Sequence, residues 1–214
     1  MAGANDIATQ KAQDFVAGLS GAATTGLSTL AEAGRAALAD LPVPTRKSER
    51  WKYSPVTSML ATPVKTAPAP EAWPEDVPTN PVPGLDAYRV VLFNGYVLPE
   101  ACDLPVADGV VCMAMSQAVA AGLIGAGDED WTGYHSREWV GALNAAHAQD
   151  GLYLSLEAGT TLDRPVLVHH HVTGQDVASC PRHRILLGAN SQAEVVLWTS
   201  ASEGASGMVN GVLE

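Results

Sequence analysis

Three consecutive histidines, His169-His170-His171, are the strongest chemical feature of the sequence, and Cys180 and His183 follow them closely. Imidazole and thiolate groups are favoured ligands of zinc, iron and copper. In a β-strand, side chains alternate between faces, so His169 and His171 share one face while His170 points the other way. A metal site would therefore need Cys180, His183 or a second chain to complete it. The alternative is a row of polar side chains on a solvent-facing or interfacial strand.

The thiol in Cys180-Pro181-Arg182-His183 is a second candidate, because a neighbouring cation and imidazole could lower its pKa and make it nucleophilic or metal-binding. No acid that would orient His183 can be identified, and a turn cysteine next to a proline explains the same residues. All the cysteines of the chain are scattered and lack CxxC spacing. This pattern predicts reduced thiols rather than a disulfide framework or a zinc module.

Carboxylates near an arginine are the residue types that a polysaccharide-active enzyme on a parallel β-helix would need in a cluster. The available residues are Asp150, Glu157, Asp163, Arg164 and Glu194. Their spacing has no pattern, and Asp163 also fits a turn before Arg164-Pro165. The GxGxxG, GxxxxGK[ST], HExxH and GxSxG motifs do not occur in the sequence. We therefore expect no catalytic residues and no enzyme activity, with the polysaccharide-active enzyme as an alternative.

Charge is unevenly distributed along the 214 residues, whose formal net charge is −11. Residues 1–70 hold seven Lys/Arg and five Asp/Glu, whereas residues 71–214 hold five and eighteen. An acidic body without a basic stripe does not bind nucleic acid through counterion release. The sequence has no secretory leader pattern and no apolar run of about 18 residues. We therefore expect a cytoplasmic chain with no nucleic-acid and no membrane partner.

Cations and aromatic residues concentrate in residues 41–54, LPVPTRKSERWKYS. Two prolines stiffen the start of this segment, Thr45 can cap a short helical turn, and Trp51 and Tyr53 offer large amphipathic surfaces. The segment has no catalytic layout, so it predicts a docking element. The alternative is an ordinary surface loop held in place by Trp51. We call residues 41–54 the signature segment.

The signature segment resembles the PTR-x-x-E-x-WKY motif of SufD, in the SufB/SufD family of iron–sulfur cluster assembly scaffold proteins. Two later segments agree with this resemblance. Residues 90–96 are similar to the family's apolar strand ending in an NG turn, and residues 142–151, here called the core-start segment, resemble its LN-x-A-x-x-x-DG motif. The resemblance extends from about Leu27 to Glu214 and covers only the N-terminal half of SufD proteins.

The resemblance implies a non-catalytic scaffold subunit that pairs with the homologous SufB and recruits the ATPase SufC. The iron–sulfur cluster would belong to the complex, so this chain alone is expected to bind no cofactor. The family's cluster-handling residues lie in the other half, and no ligand is carried over. Only structural and docking roles are carried over, to Arg46, Glu49, Trp51, Lys52, Tyr53, Asn144, Asp150 and Gly151. At His147 the family more often has an aromatic residue.

Helices are predicted at the N-terminus. Asp6 is a candidate N-cap for a helix that carries Ile7 and Phe15 on one apolar stripe and ends near Gly18 and Gly21. Residues 27–39 predict a second helix, stopped by the following Leu-Pro pair. Together they predict a helical hairpin within a first region, residues 1–60.

A proline-rich linker or draped arm is predicted over residues 61–87, which hold seven of the fourteen prolines. Residues 88–149 then predict a small α/β subdomain. Its expected elements are a strand at 90–93 with a hairpin turn at Asn94-Gly95, a strand at 110–115, a short helix capped by Ser116, and a helix at 139–148.

Short strand-like runs follow in residues 150–214. They are residues 152–156, 166–172, 184–187, 193–199 and 208–213. Their loose repeat fits either coils of a parallel β-helix or an antiparallel sandwich. The family resemblance implies the right-handed parallel β-helix, so the expected fold is mostly β with a helical N-terminus. The last run would leave a strand edge with unpaired backbone groups and exposed apolar side chains, which predicts self-association or a capping partner.

Overall fold

The structure, a computed structural model, describes residues 4–19, 27–54, 56–75, 77–125 and 137–214. The α-helices of these residues are α1 (Ala4–Gly18), α2 (Ser28–Asp40), α3 (Val56–Met59), α4 (Met115–Ala120) and α5 (Trp139–His147). Two 3-10 turns lie at Glu49–Trp51 and Pro99–Ala101. Helix and strand cover about equal numbers of residues, so the described part is mixed α and β rather than mostly β as expected.

The strands form three sheets. The described strands are β1 (Lys65–Thr66), β2 (Tyr88–Phe93), β3 (Tyr96–Val97), β4 (Val110–Ala114), β5 (Leu152–Leu156), β6 (Val166–Val172), β7 (Val177–Ser179), β8 (Arg182–Leu187), β9 (Val195–Ala201), β10 (Gly207–Val209) and β11 (Val212–Leu213). The strand orders are β1-β7-β10, β11-β8-β5-β4 and β3-β2-β6-β9.

Strands after Asp150 pair in parallel with strands about 30 residues further along the chain. Val166 of β6 pairs with Val195 of β9, and Arg182 of β8 pairs with Val212 of β11. The pairs β5–β8 and β7–β10 are also parallel. Every pairing between described strands of residues 150–214 is thus parallel, which contradicts the antiparallel alternative. β6 is buried along its whole length, as expected for a parallel strand covered on both faces.

The predicted runs at 152–156 and 166–172 coincide with β5 and β6. β8 begins two residues before the predicted 184–187 run, and β9 lies two residues later than the predicted 193–199 run. The run predicted at 208–213 divides into β10 and β11, and β7 was not expected. Strands of the predicted 88–149 region join these sheets, because β2 pairs in parallel with β6 and β4 pairs antiparallel to β5.

The hairpin expected at Asn94-Gly95 joins β2 to β3, and Leu92 pairs antiparallel with Val97. The φ angles of Asn94 and Gly95 are 51° and 90°. Positive φ at both central residues is what the favoured two-residue hairpin turn requires. A Cβ at Gly95 would also lie 2.5 Å from Gln149 Oε1, so glycine is needed for space as well as for conformation.

The N-terminal helices pack on α5. Phe15 of α1 belongs to an apolar cluster with Trp139 and Leu143, and Leu38 of α2 packs against the same cluster. α1 begins at Ala4, so the prediction of Asp6 as its N-cap is wrong. The helix ends at Gly18 as predicted, whereas the Ile7 side chain and Gly21 lie outside the described residues.

The prediction of Ser116 as a helix N-cap is also wrong. α4 begins at Met115, and Ala114 is its N-cap residue. The Ala114 N–H is satisfied by Gln117 Oε1 at 3.2 Å, while the Ser116 hydroxyl bonds elsewhere. The Ser116 hydroxyl donates to Asp150, a residue far along the chain, instead of capping the helix.

The proline-rich segment lies against the sheets. Lys65–Thr66 forms β1, an edge strand paired in parallel with β7. Further along, the Trp73 ring packs edge-on against Phe93 and His169, with ring centroids 5.9 and 5.2 Å apart. The Trp73 indole N–H donates to Val77 O at 2.6 Å. This segment therefore covers the outer face of β2 and β6.

Candidate docking surface and core-start site

Hydrogen bonds within the signature segment order its backbone. Ser48 Oγ accepts the Thr45 N–H at 3.1 Å, and Thr45 Oγ1 accepts the Lys47 N–H at 3.2 Å. The Trp51 N–H then donates to Ser48 O at 2.9 Å, which closes the 3-10 turn. Thr45 therefore supports the turn at residues 45–48, whereas Ser48 is the N-cap residue of the 3-10 turn, which is not the helical cap predicted for Thr45.

Glu138 anchors this turn to the rest of the molecule. Arg50 Nη1 lies 2.6 Å from Glu138 Oε1, and Trp51 Nε1 donates to Glu138 Oε2 at 3.3 Å. The Trp51 ring is half-buried against the cluster that contains Trp139 and Leu143. Trp51 thus has the anchoring role that the sequence suggests, and the carboxylate just before α5 supplies its polar partner.

Other signature side chains project into solvent. Arg46, Lys47, Glu49 and Lys52 are exposed, and Tyr53 is 88% exposed. Lys52 Nζ lies 5.4 Å from the centroid of the Tyr53 ring, a distance at which a cation and an aromatic ring attract each other. Within the described residues, the cations at 46, 47 and 52 have no carboxylate at salt-bridge distance. The signature segment therefore combines an anchored half with an exposed half.

Asn144 of the core-start segment connects α5 to residues that lie just before the parallel strands β8 and β11. Its Nδ2 donates to Pro181 O at 3.0 Å and to Asn210 O at 2.6 Å. Its Oδ1 accepts a hydrogen bond from Arg182 Nη1 at 3.1 Å. Arg182 is fully buried and also forms an ion pair with Glu214. One fully buried amide thus satisfies a buried cation and two backbone carbonyls.

Asp150 and Gly151 complete the connection. Asp150 Oδ1 accepts the N–H groups of Ser116 at 3.0 Å and Gly151 at 2.9 Å, and Oδ2 accepts the Ser116 hydroxyl at 2.8 Å. Burial raises the pKa of Asp150, and the hydrogen bonds from Ser116 oppose that shift. A Cβ at Gly151 would lie 1.6 Å from Arg182 O. Only glycine allows β8 to approach this closely.

Two further core-start residues contribute in different ways. Gln149 Nε2 donates to Ala178 O at 3.1 Å, and Gln149 Oε1 accepts the Cys180 N–H at 2.6 Å. The pKa of His147 is lowered to about 4 by burial and, secondarily, by the charge of Arg35. Gln149 therefore bridges to β7 and the turn after it, while His147 is held neutral at physiological pH.

His169 and His171 lie on one face of β6, as the sequence predicts, and share a hydroxyl. Ser200 Oγ is 2.7 Å from His169 Nε2 and 2.8 Å from His171 Nδ1. His169 Nδ1 is 3.3 Å from Thr79 O, and His171 Nε2 is 3.0 Å from Ser202 Oγ. Each ring nitrogen of this pair therefore has a hydrogen-bond partner.

The carbonyl of Thr79 fixes the direction of this row, since a carbonyl can only accept. His169 Nδ1 must therefore carry the proton, which leaves Nε2 to accept from the Ser200 hydroxyl. Ser200 Oγ in turn accepts from His171 Nδ1–H, and with that imidazole neutral its Nε2 accepts from Ser202. The row runs from the strands to the proline-rich segment and helps to hold that segment in place.

His170 points the other way, and its Nε2 lies 2.9 Å from Ser179 Oγ. It borders a cavity of about 130 Å³ that opens at the edge strands β9, β10 and β11, and His183 borders the same cavity while its Nδ1 accepts the Leu152 N–H at 3.0 Å. Burial lowers the pKa of His170 and of His183 to about 4. The buried Cys180 thiol has its pKa raised to about 12, again by burial, rather than lowered as its sequence neighbours would suggest.

The candidate metal ligands are thus separated. His169 and His171 face the proline-rich segment, whereas His183 faces the interior and Cys180 is buried after β7. In the described part of the chain, no group of three or more His, Cys, Asp or Glu side chains could hold a metal ion.

The candidate carboxylates are also dispersed. Asp163 accepts the Tyr88 hydroxyl hydrogen bond at 2.9 Å, and Arg164 pairs with Asp86 at 3.0 Å while its guanidinium lies 4.1 Å from the Tyr88 ring centroid. Glu157 and Glu194 are exposed, and Asp150 is buried in the core-start site. These contacts are those of a surface turn and of a structural carboxylate.

Comparison with protein families agrees with the three sequence motifs. A family model described as "SufBD protein N-terminal region" matches residues 17–168. The chain belongs to the SufBD family. The match includes the signature segment, the hairpin and the core-start segment, and it ends inside β6. No curated protein sequence matches the chain. In the described residues, no helix is long and apolar enough to span a membrane.

Several important residues escaped prediction from sequence. Glu138, Gln149, Arg182 and Ser200 are all polar and all contact residues distant in sequence. Arg182 lay outside the strand run predicted at 184–187, so its charge gave no signal of a buried partner. All four contacts would have required the strand pairing to be known.

Proposed function

We propose that this chain is a non-catalytic, SufD-like scaffold subunit in iron–sulfur cluster assembly. The match of the SufBD N-terminal family model to residues 17–168 carries the proposal. The separation of His169 and His171 from Cys180 and His183 supports a role in which the cluster belongs to the complex rather than to this chain alone. The proposed site of action is the cytoplasm.

We further propose that the parallel strands are the first coils of a right-handed β-helix. Support comes from the regular offset of parallel pairs, Val166 with Val195, Val177 with Gly207, and Arg182 with Val212. An array in which each strand returns about 30 residues later is what stacked coils require. The core-start site would then join the helical region to the first coil.

The proposed partners are a SufB-like homologue and a SufC-like ATPase. A second feature supports association: β9, β10 and β11 are edge strands of their sheets. They expose apolar side chains, namely Leu197, Trp198, Val209 and Leu213. Unpaired strand edges with apolar side chains are surfaces on which another chain can pair. We therefore expect self-association when no partner is present.

Co-expression with SufB-like and SufC-like proteins from the same genome tests the proposal. We expect the three chains to co-purify, and we expect anaerobic reconstitution with iron and sulfide to yield visible absorbance of a cluster in the complex but not in this chain alone. A chain that assembles a stable cluster by itself, or that never associates with either partner, would contradict the proposal. Light scattering at tens of micromolar provides a separate test, since a clean monomer would contradict self-association.

A further inference from the structure

The signature segment divides its residues between two tasks. Arg50 and Trp51 both form hydrogen bonds with Glu138. The backbone from Thr45 to Ser54 is ordered by hydrogen bonds within the segment itself. The exposed side chains at positions 46, 47, 52 and 53 contribute nothing to this anchoring. Their backbone is already ordered, so a partner that binds these side chains would not lose free energy in ordering it.

The chemistry of this exposed face is cationic and aromatic. It consists of Arg46, Lys47, Lys52 and Tyr53, here called the cationic face, and its cations have no carboxylate at salt-bridge distance among the described residues. An aromatic side chain that is 88% exposed is a large amphipathic surface of the type enriched at binding hot spots. The nearby cation of Lys52 adds a positive charge next to that ring.

We propose that the cationic face binds a short carboxylate-bearing segment of a partner protein. Charge complementarity identifies the occupant: three exposed cations without a carboxylate partner among the described residues, one of them beside the Tyr53 ring, match two or three carboxylates flanked by an apolar group. The rest of the molecule limits its length, because residues 71–214 hold eighteen acids against five cations. This net negative charge repels an extended polyanion such as nucleic acid or an anionic membrane more strongly than it repels a segment with two or three carboxylates.

This inference deepens the proposed scaffold role, since it gives the chemistry of one partner contact. The position of the face is consistent with that role. Arg50 and Trp51 border a cavity of about 320 Å³ that is also lined by Asn210, Gly211 and Val212. The signature segment therefore lies beside the strand edge where association is proposed, and one partner could contact both surfaces.

A peptide titration tests the inference on the full chain. The probe is a fluorescein-labelled 12-residue peptide in which glutamates alternate with glycine and leucine, and the matched probe has glutamines in place of the glutamates. By fluorescence anisotropy in dilute buffer, we expect the glutamate peptide to bind at least tenfold more tightly than the glutamine peptide. Binding should weaken steeply as salt is added, because surface charge contacts are screened.

Charge reversal at the face provides the decisive variant. R46E/K47E/K52E should lose at least tenfold in affinity for the glutamate peptide, and Tyr53→Ala should lose about threefold. The matched control is K11E/R35E/K65E, which makes the same change in net charge at other exposed cations and should stay within about twofold of the unmodified chain. Equal loss in both triple variants would overturn the inference, because it would show a response to net charge alone.

Parallel titrations with a 20-nucleotide oligo-dT and with vesicles of phosphatidylcholine and phosphatidylglycerol cover the other anions. Binding of either through the same residues, more tightly than the glutamate peptide, would overturn the choice of a protein segment. A second copy of this chain as the occupant would appear as self-association that R46E/K47E/K52E abolishes, and it too would overturn the inference. If the peptide fails to bind while the chain still co-purifies with SufB-like and SufC-like proteins, the inference fails and the proposed function stands.

Discussion

The core-start site and the signature segment are both rich in polar residues, yet they use them in opposite ways. In the core-start site, Asn144 and Asp150 are buried, and each accepts or donates several hydrogen bonds. In the signature segment, Arg50 and Trp51 bond to the distant Glu138, whereas the cationic face is open to solvent and has no ion pair with any described carboxylate. Sequence motifs of similar specificity can thus mark a buried structural connection or an exposed contact surface.

The comparison predicts that stability depends on the core-start site and that association depends on the signature segment. Removing a buried hydrogen-bond partner leaves other buried groups unsatisfied, which costs more than the bond itself contributes. Removing an exposed side chain changes little in the folded state. The variants below test this difference from the largest expected effect to the smallest.

Gly151→Ala should have the largest effect. Its methyl group would meet Arg182 O at 1.6 Å, so β5 and β8 would have to separate, and we expect a loss of at least ~4 kcal/mol in the free energy of unfolding or no folded protein. Gly211→Ala is the matched control, because its Cβ would meet only Pro181 Cγ, at 3.7 Å. Urea denaturation followed by circular dichroism measures both. Equal stability of the two variants would contradict the close approach of the strands.

Asn144→Ala should destabilise the fold by about 3 kcal/mol, because it leaves the buried Arg182 and two carbonyls without their amide partner. The comparison variant is Asn80→Ala, which removes a half-buried amide that donates to Leu85 O at 2.8 Å and should cost about 1 kcal/mol. The same denaturation experiment applies. A smaller loss at Asn144 than at Asn80 would place the structural connection elsewhere.

His147→Phe should flatten the dependence of stability on pH. The folded pKa of about 4 lies below the unfolded value of 6.5, so the unfolded state binds more protons between these values. The stability from this group is therefore complete above pH 6.5 and falls as the pH drops toward 4. Between pH 7 and 5 we expect the histidine chain to lose about 2 kcal/mol through this group.

The phenylalanine variant should not show that loss. Urea unfolding at both pH values measures it, and His183→Gln serves as a comparison because its imidazole also has a pKa of about 4. Identical slopes with pH in the His147→Phe variant and the unmodified chain would mean that His147 does not titrate in this way.

Glu138→Ala should have a small effect, about 1 kcal/mol, since Arg50 is largely exposed and surface ion pairs contribute little. Tyr53→Ala should stay within about 0.5 kcal/mol of the unmodified chain, because its ring is almost fully exposed. Thermal melts distinguish the two. A Tyr53 variant less stable than the Glu138 variant would reverse the assignment of anchored and exposed halves.

Sequence patterns predicted elements whose identity is locally determined. β5 and β6 appeared at their observed bounds because short strand-like runs with turn residues at each end mark strands, even where β6 carries three histidines. The Asn94-Gly95 hairpin was predicted for a similar reason, since its backbone conformation is intrinsic to that dipeptide. The alternation of His169 and His170 likewise follows from strand geometry alone.

Long-range contacts account for what could not be predicted. Ser116 is a reasonable helix cap by itself, but Asp150 competes for its hydroxyl from 34 residues away. β7 spans only Val177–Ser179, which is too short to give a periodic signal. The partners of the histidine row come from a neighbouring strand and from the proline-rich segment. The sequence therefore indicated which polar residues needed partners, but it did not indicate which distant residues those partners would be.

The row from Ser202 through His171 and Ser200 to His169 and Thr79 has a polarity, because each donor is also the acceptor for the group behind it. If one hydroxyl reversed its direction, two donors or two acceptors would face each other. The hydroxyl groups and imidazole rings of the row must therefore change direction together or not at all. Detachment of the proline-rich segment from the sheets should consequently be cooperative. The hydrogen-bonded amides of Val77, Val82 and Leu85, on either side of Thr79, would then exchange with deuterium at one common opening free energy instead of opening one by one.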